Sequence, residues 1–115
     1  MAMRKPARGE IWESDLNPSR GHEQSGTRPV LIVSVDPFNQ GPSELVIVVP
    51  ISTKDKKVRS QVPIEQGEGG LKTKSFIKCE AIRSISTERL RSRWGTASRE
   101  TMSAVEDRLR ILMNL

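Results

Sequence analysis

Two unbroken aliphatic runs, Val30-Leu31-Ile32-Val33 and Leu45-Val46-Ile47-Val48-Val49-Pro50-Ile51, do most to limit what this chain can fold into. Runs of this length without polar interruption read as strands buried on both faces, one expected over Pro29 to Val35 and the other over Leu45 to Ile51. Pro50 lacks an N–H, which implies an edge position or a bulge near the end of the second run. A polar stretch, Gly21-His22-Glu23-Gln24-Ser25-Gly26-Thr27-Arg28-Pro29, leads directly into the first run. Pro29 favours an extended Arg28 and so places it at a strand entrance. A polar loop at the mouth of a buried strand is either a solvated hairpin or a place where binding groups sit.

The remaining elements follow in order. Met1 to Ala7 reads as a loose leader, and residues 8–115 as a single domain. Ile11 and Trp12 mark a first strand within Gly9 to Leu16, stopped by Asn17-Pro18. Ser52-Thr53 falls just past the Leu45–Ile51 strand, and a basic loop runs from Lys54 to Ser60. Gln61 to Ile64 reads as a short strand and Gly67, Gly69 and Gly70 as a turn. Lys72 to Glu80 alternates as a strand, with Phe76, Lys78 and Glu80 on one side and Ile77 and Cys79 on the other. Ala81 to Ile85 is expected to continue or pair with it, and Thr87 to Arg93 to form a helical turn. Ser98 reads as an N-cap for a helix over Arg99 to about Met113. Its stripe of Met102, Val105, Leu109, Leu112 and Met113 serves as core or dimer interface. Five or six strands and one terminal helix make a small α+β domain.

Charge and composition narrow the function. There are 19 basic and 14 acidic residues among 115, a net charge of +5, and the surplus lies before residue 99. An anionic partner is favoured, nucleic acid being the commonest. Two Trp, two Phe and no Tyr are few platforms for base stacking, so contacts should rely on charge and hydrogen bonds. One cysteine, Cys79, excludes an intrachain disulfide and a thiolate metal cluster, and the single histidine, His22, excludes a two-histidine acid/base pair. Any chemistry is expected to use neither metal nor cofactor. No apolar stretch is long enough to span a membrane, and the N-terminus has no signal-like apolar region, so a cytoplasmic protein is expected.

Several ordered blocks resemble the MazF/PemK/Kid toxins, with the Kid/PemK branch the nearest in look. They are Gly9-Glu10-Ile11-Trp12, Leu16-Asn17-Pro18, Gly21-His22-Glu23-Gln24, Gly26 to Val33, Val49-Pro50-Ile51-Ser52-Thr53, Gly69-Gly70-Leu71, Lys78-Cys79-Glu80 and Ile82-Arg83-Ser84-Ile85. The resemblance implies an SH3-like antiparallel β-barrel with a C-terminal helix, acting as a homodimer. It also implies a toxin endoribonuclease, an mRNA interferase, that cuts single-stranded RNA at short sequences and so arrests translation and growth. A cognate antitoxin would place its C-terminal segment in the RNA groove, and operator DNA would be met only through that antitoxin. The same fold carries CcdB-like inhibitors of DNA gyrase, and a catalytically weakened homologue that only binds antitoxin or represses its operon is a further alternative.

Metal-free RNA cleavage needs a base for the 2′-OH, donors for the charged phosphorane and an acid for the leaving 5′-oxygen. Arg28 is the first choice for the phosphate, because a guanidinium pairs two oxygens and keeps its charge. Ser52 and Thr53 correspond by resemblance to the family's hydroxyl pair, with serine where threonine is usual. Glu80 and Lys78, two apart on the expected strand, correspond to an acidic and a basic residue acting as base and acid. The pair could equally be a cross-strand ion pair. Here Glu replaces Asp and Lys replaces Arg. His22 is a candidate for phosphate binding or proton transfer. Glu23 and Gln24 are candidates for base contacts or loop structure. Lys54, Lys56, Lys57 and Arg59 form a basic lip for RNA backbone or a solvated loop.

Overall fold

A computed structural model of the chain describes residues 5–17 and 26–115. Its strands are β1 (Glu10–Asp15), β2 (Thr27–Ile32), β3 (Leu45–Ser52), β4 (Gln61–Ile64), β5 (Ser75–Lys78), β6 (Arg83–Ser86) and β7 (Leu90–Thr96). A single helical turn, α1 (Asp36–Asn39), follows β2, and the long helix α2 (Arg99–Met113) follows β7. All pairings are antiparallel, in the order β4-β5-β3-β2-β1-β7, with β6 also on β3. The expected α+β architecture with a terminal helix is present, with seven strands where five or six were expected.

The two aliphatic runs are central, and their continuity has a simple cause. Successive side chains of a strand point to opposite faces, and here both faces are covered. Ile11, Leu31, Val49, Ile51 and Ile77 enter one core, which α2 closes with Val105, Met102 and Leu109. Trp12, Val30, Ile32, Val46, Val48, Ile85 and Leu90 make the other. Val30, Leu31 and Ile32 are completely buried.

Pro50 is neither on an edge strand nor at a bulge, contrary to the sequence expectation. On one side of β3 it lies opposite Val30. On the other side β3 pairs with β6 up to Val48 and with β5 from Ile51. Pro50 falls in that handover, where no ladder partner needs its N–H. Pro63, by contrast, does lie in an edge strand, opposite Phe76 of β5.

Three further expectations are corrected. The strand expected over Lys72 to Glu80 stops at Lys78, and Cys79–Ala81 is a 3-10 turn. Lys78 and Glu80 therefore do not share a strand face. The segment expected over Ala81 to Ile85 pairs as β6 with β3, not with β5. Of the turn expected over Thr87 to Arg93, only Thr87–Arg89 is helical, and the rest is β7. The charges that obscured β7 are met across the sheet, Arg93 by Glu10 at 2.6 Å and Arg91 by Asp15 at 3.4 Å. Cross-strand pairing of this kind lets an arginine-rich segment be a strand.

At its start α2 behaves as the sequence predicts, with the Ser98 hydroxyl accepting from the Thr101 N–H. Its stripe divides. Met102, Val105 and Leu109 join the core, whereas Leu112 and Met113 remain about half exposed beside Ile111 and Leu115. At the other end of the chain, Pro6 is buried, and the Ala7 N–H donates to Glu10 Oε1 at 2.8 Å.

The turn Glu68–Gly70 seals the junction of β7 and α2. Glu68 Oε2 accepts from the Thr101 hydroxyl at 2.6 Å and the Ser98 N–H at 2.9 Å. Burial raises the Glu68 pKa, but these donors outweigh it and hold the carboxyl below its ordinary value. Gly70 has φ +79°, and a Cβ there would lie 2.4 Å from the Trp94 carbonyl oxygen. Gly70→Ala thus combines left-handed strain with a backbone clash and is expected to cost about 2–4 kcal/mol in urea unfolding. A cost under about 1 kcal/mol would show that the turn is not packed as described.

Candidate functional site

The candidate residues gather where β2, β3 and β5 come together. Val30 lies opposite Pro50, which brings the start of β2, with Arg28, beside the end of β3. Ser52, the last residue of β3, lies opposite Phe76, two residues before Lys78 ends β5. Gln61 opens β4 opposite Lys78. Four segments distant in sequence thus converge.

Lys78 is at the centre and is only 4% exposed. Burial, the largest influence, draws its ammonium below the ordinary lysine pKa. Lys56 adds to this, Glu80 opposes it, and Arg28 and Lys54 contribute further repulsion. The direction is physical: a low-dielectric site among three other cations disfavours a fourth. Arg28 itself is exposed, the second residue of β2, opposite Ser14 of β1.

Glu80 projects from the turn after β5 and is exposed. Its two oxygens are held separately, Oε1 by the Ser60 hydroxyl at 2.8 Å and Oε2 by Gln61 Nε2 at 3.2 Å. Ser52 is buried, and its Oγ accepts from the Lys54 N–H at 3.1 Å, while Thr53 beside it is exposed.

The basic loop is shaped by its own short bonds. The Lys57 N–H donates to Asp55 and the Lys56 N–H to Gln61 Oε1. Lys54, Lys56, Lys57 and Arg59 are all exposed on it. Arg108 of α2 donates to the Arg59 carbonyl at 2.8 Å, so the helix braces the loop from outside.

His22, Glu23 and Gln24 lie outside the described residues. The residues flanking them are joined: the Gly26 N–H donates to Asn17 Oδ1, and the Leu16 N–H to the Gly26 carbonyl. Ser60 and Gln61 are the contacts that sequence reasoning missed. The available signal was a glutamine opening an otherwise apolar short strand, a polar side chain that burial obliges to find partners.

The arrangement offers clustered cations, hydroxyls and one oriented carboxylate, a set suited to gripping a phosphodiester and moving a proton beside it. Cys79 does not fit nucleophilic chemistry, because burial, with Glu80 nearby, pushes its thiol up to about 11. Among the described residues no group of His, Cys, Asp or Glu converges as a metal site, and no helix is long and apolar enough to cross a membrane.

Comparison with known proteins gives a consistent result. Residues 7–113 match a family described as PemK-like, MazF-like toxin of type II toxin-antitoxin system. Endoribonuclease MazF9 of Mycobacterium tuberculosis is 35% identical over 113 residues, covering 94% of this chain and 96% of the relative. Endoribonuclease PemK of Escherichia coli is 40% identical over 79 residues, covering 68% of this chain and 59% of the relative. The crystal structure of MazF from Deinococcus radiodurans superimposes with a TM-score of 0.88 at 22% identity, covering 98% of this chain and all of that one. A mycobacterial endoribonuclease in complex with its cognate antitoxin gives 0.78 at 22% identity, covering 98% and 97%. At these identities the structures speak for the fold.

Proposed function

Since this chain belongs to the family of PemK-like, MazF-like toxins of type II toxin–antitoxin systems, we propose that it is a toxin endoribonuclease acting on single-stranded RNA. It cuts mRNA at short specific sequences, without metal, and so stops translation and growth. The observation that carries this reading is the buried Lys78 side chain, within electrostatic reach of Arg28, Lys54, Lys56 and Glu80. A purely structural site gains nothing from collecting like charges around a buried lysine, whereas a phosphodiester would neutralise them.

In the proposed reaction Glu80 takes the 2′-OH proton, and O2′ attacks phosphorus. Arg28 pairs the non-bridging oxygens as charge builds on the phosphorane, with Ser52 and Thr53 as hydroxyl donors. Lys78, its pKa already drawn down, gives its proton to O5′ as the P–O5′ bond breaks. The products are a 2′,3′-cyclic phosphate and a 5′-OH. His22 supports phosphate binding or proton transfer, Glu23 and Gln24 contact bases, and Lys54, Lys56, Lys57 and Arg59 follow the backbone. Residues 8–115 act as one cytoplasmic domain and as a homodimer. The C-terminal segment of a cognate antitoxin covers the same groove and alone brings operator DNA.

A mixed-sequence single-stranded RNA incubated with the protein in excess EDTA should be cut at a short recurring sequence, leaving 5′-OH and 2′,3′-cyclic phosphate ends. Arg28→Ala should slow cutting about 10²–10³-fold. Ends carrying 5′-phosphate would overturn the mechanism, and full activity in Arg28→Ala would overturn the site. Intact RNA together with poisoned DNA gyrase would point to the non-enzymatic alternative.

A further inference from the structure

Gln61 has two jobs that its place in the sequence does not suggest. It opens β4, is 6% exposed, and stands opposite Lys78. Its Nε2 donates to Glu80 Oε2 at 3.2 Å, and its Oε1 accepts from the Lys56 N–H at 3.3 Å. This amide orientation is the only one that satisfies both partners, since the flipped form would set its oxygen against a carboxylate and its NH2 against an N–H.

We infer that Gln61 is a positioning residue for RNA cleavage, its carboxamide fixing the Glu80 carboxylate and the Lys54–Ser60 loop to one common point. The inference rests on the reading of Glu80 as the base that takes the 2′-OH proton. An exposed glutamate carries free side-chain torsions and would otherwise sample many carboxylate positions. The Ser60 hydroxyl holds one oxygen at 2.8 Å, but a single contact leaves rotation about that oxygen. The second bond, from a side chain buried in a strand, removes it. Because the same carboxamide accepts from Lys56, a shift of the lysine-bearing loop is transmitted to the base. Misplacing a reacting group by about 1 Å costs on the order of a hundredfold in rate.

Gln61→Met keeps the length and loses both bonds. Its kcat on single-stranded RNA should fall about tenfold to a hundredfold, with KM changing less. Gln61→Glu keeps the acceptor for Lys56 and sets a carboxylate against Glu80, so its kcat should fall at least as far. In a Glu80→Gln background, Gln61→Met should cause no further loss, because its effect passes through Glu80. Urea unfolding establishes that each variant is folded at the assay temperature. If Gln61→Met is not, Gln61→Glu carries the same comparison. A kcat within about twofold of the parent, or the same loss in both backgrounds, would overturn the inference. Parental activity in Glu80→Gln alone would instead overturn the assignment of Glu80 as the base.

Discussion

Lys78→Met is expected to lower RNA cleavage about 10²–10⁴-fold, the usual contribution of a general acid, while making the protein harder to unfold in urea at neutral pH. The two effects have one cause. The lysine is buried and its ammonium partly desolvated near Lys56, Arg28 and Lys54, with Glu80 as its only favourable charge among those acting on it. Methionine fills a similar volume without the desolvation cost. The pH dependence follows from the direction of the shift. With its folded pKa below the unfolded value, Lys78 is protonated more readily in the unfolded chain over the window between the two. Parental stability should therefore rise relative to Lys78→Met as pH climbs through the folded pKa toward the ordinary lysine value. Lys78→Arg keeps the charge but holds its proton more tightly, so it should restore only part of the rate. Urea midpoints across alkaline pH and single-turnover cleavage rates test both halves. Loss of stability in Lys78→Met would mean that the amine is held by contacts rather than strained, and parental activity would remove it from the reaction.

Glu10→Ala should be the most damaging single truncation of a polar side chain in the scaffold, at about 3 kcal/mol. The carboxylate is 3% exposed. It accepts from Arg93 Nε at 2.6 Å, the Trp12 indole N–H at 3.1 Å and the Ala7 N–H at 2.8 Å. Removing it strands three donors and unfastens β7 and the N-terminal segment from β1 together. Arg91→Ala is the matched control. Its 3.4 Å ion pair with Asp15 is largely exposed, and such pairs contribute about 0–1 kcal/mol. Urea unfolding that ranked the two variants equally would refute the account of how β7 is attached.

The Gly9-Glu10-Ile11-Trp12 block is legible in the sequence as part of a family resemblance, yet its reason is structural. Ile11 and Trp12 enter opposite cores, and Glu10 is the clamp beneath β7. The candidate site is nameable to a similar degree. Arg28, Ser52, Lys54, Lys56, Lys78 and Glu80 are nameable from the chain, and folding brings them together. What misleads is strict alternation. It puts Lys78 and Glu80 on one strand face, whereas the 3-10 turn at Cys79–Ala81 leaves one buried and the other exposed. Ser60 and Gln61 cannot be assigned a role from sequence, because their partner, Glu80, lies about twenty residues downstream.

Local chemistry determines what depends on a few neighbouring residues. Continuous aliphatic runs specify strands covered on both faces, and Ser98 caps α2. Tertiary structure decides what depends on partners far along the chain. It makes an arginine-rich stretch into β7 by supplying Glu10 and Asp15 opposite it. It excuses Pro50 at the handover between two partners. It also sets the character of Lys78, since burial and the charges of Lys56, Arg28 and Lys54 act through space rather than along the sequence.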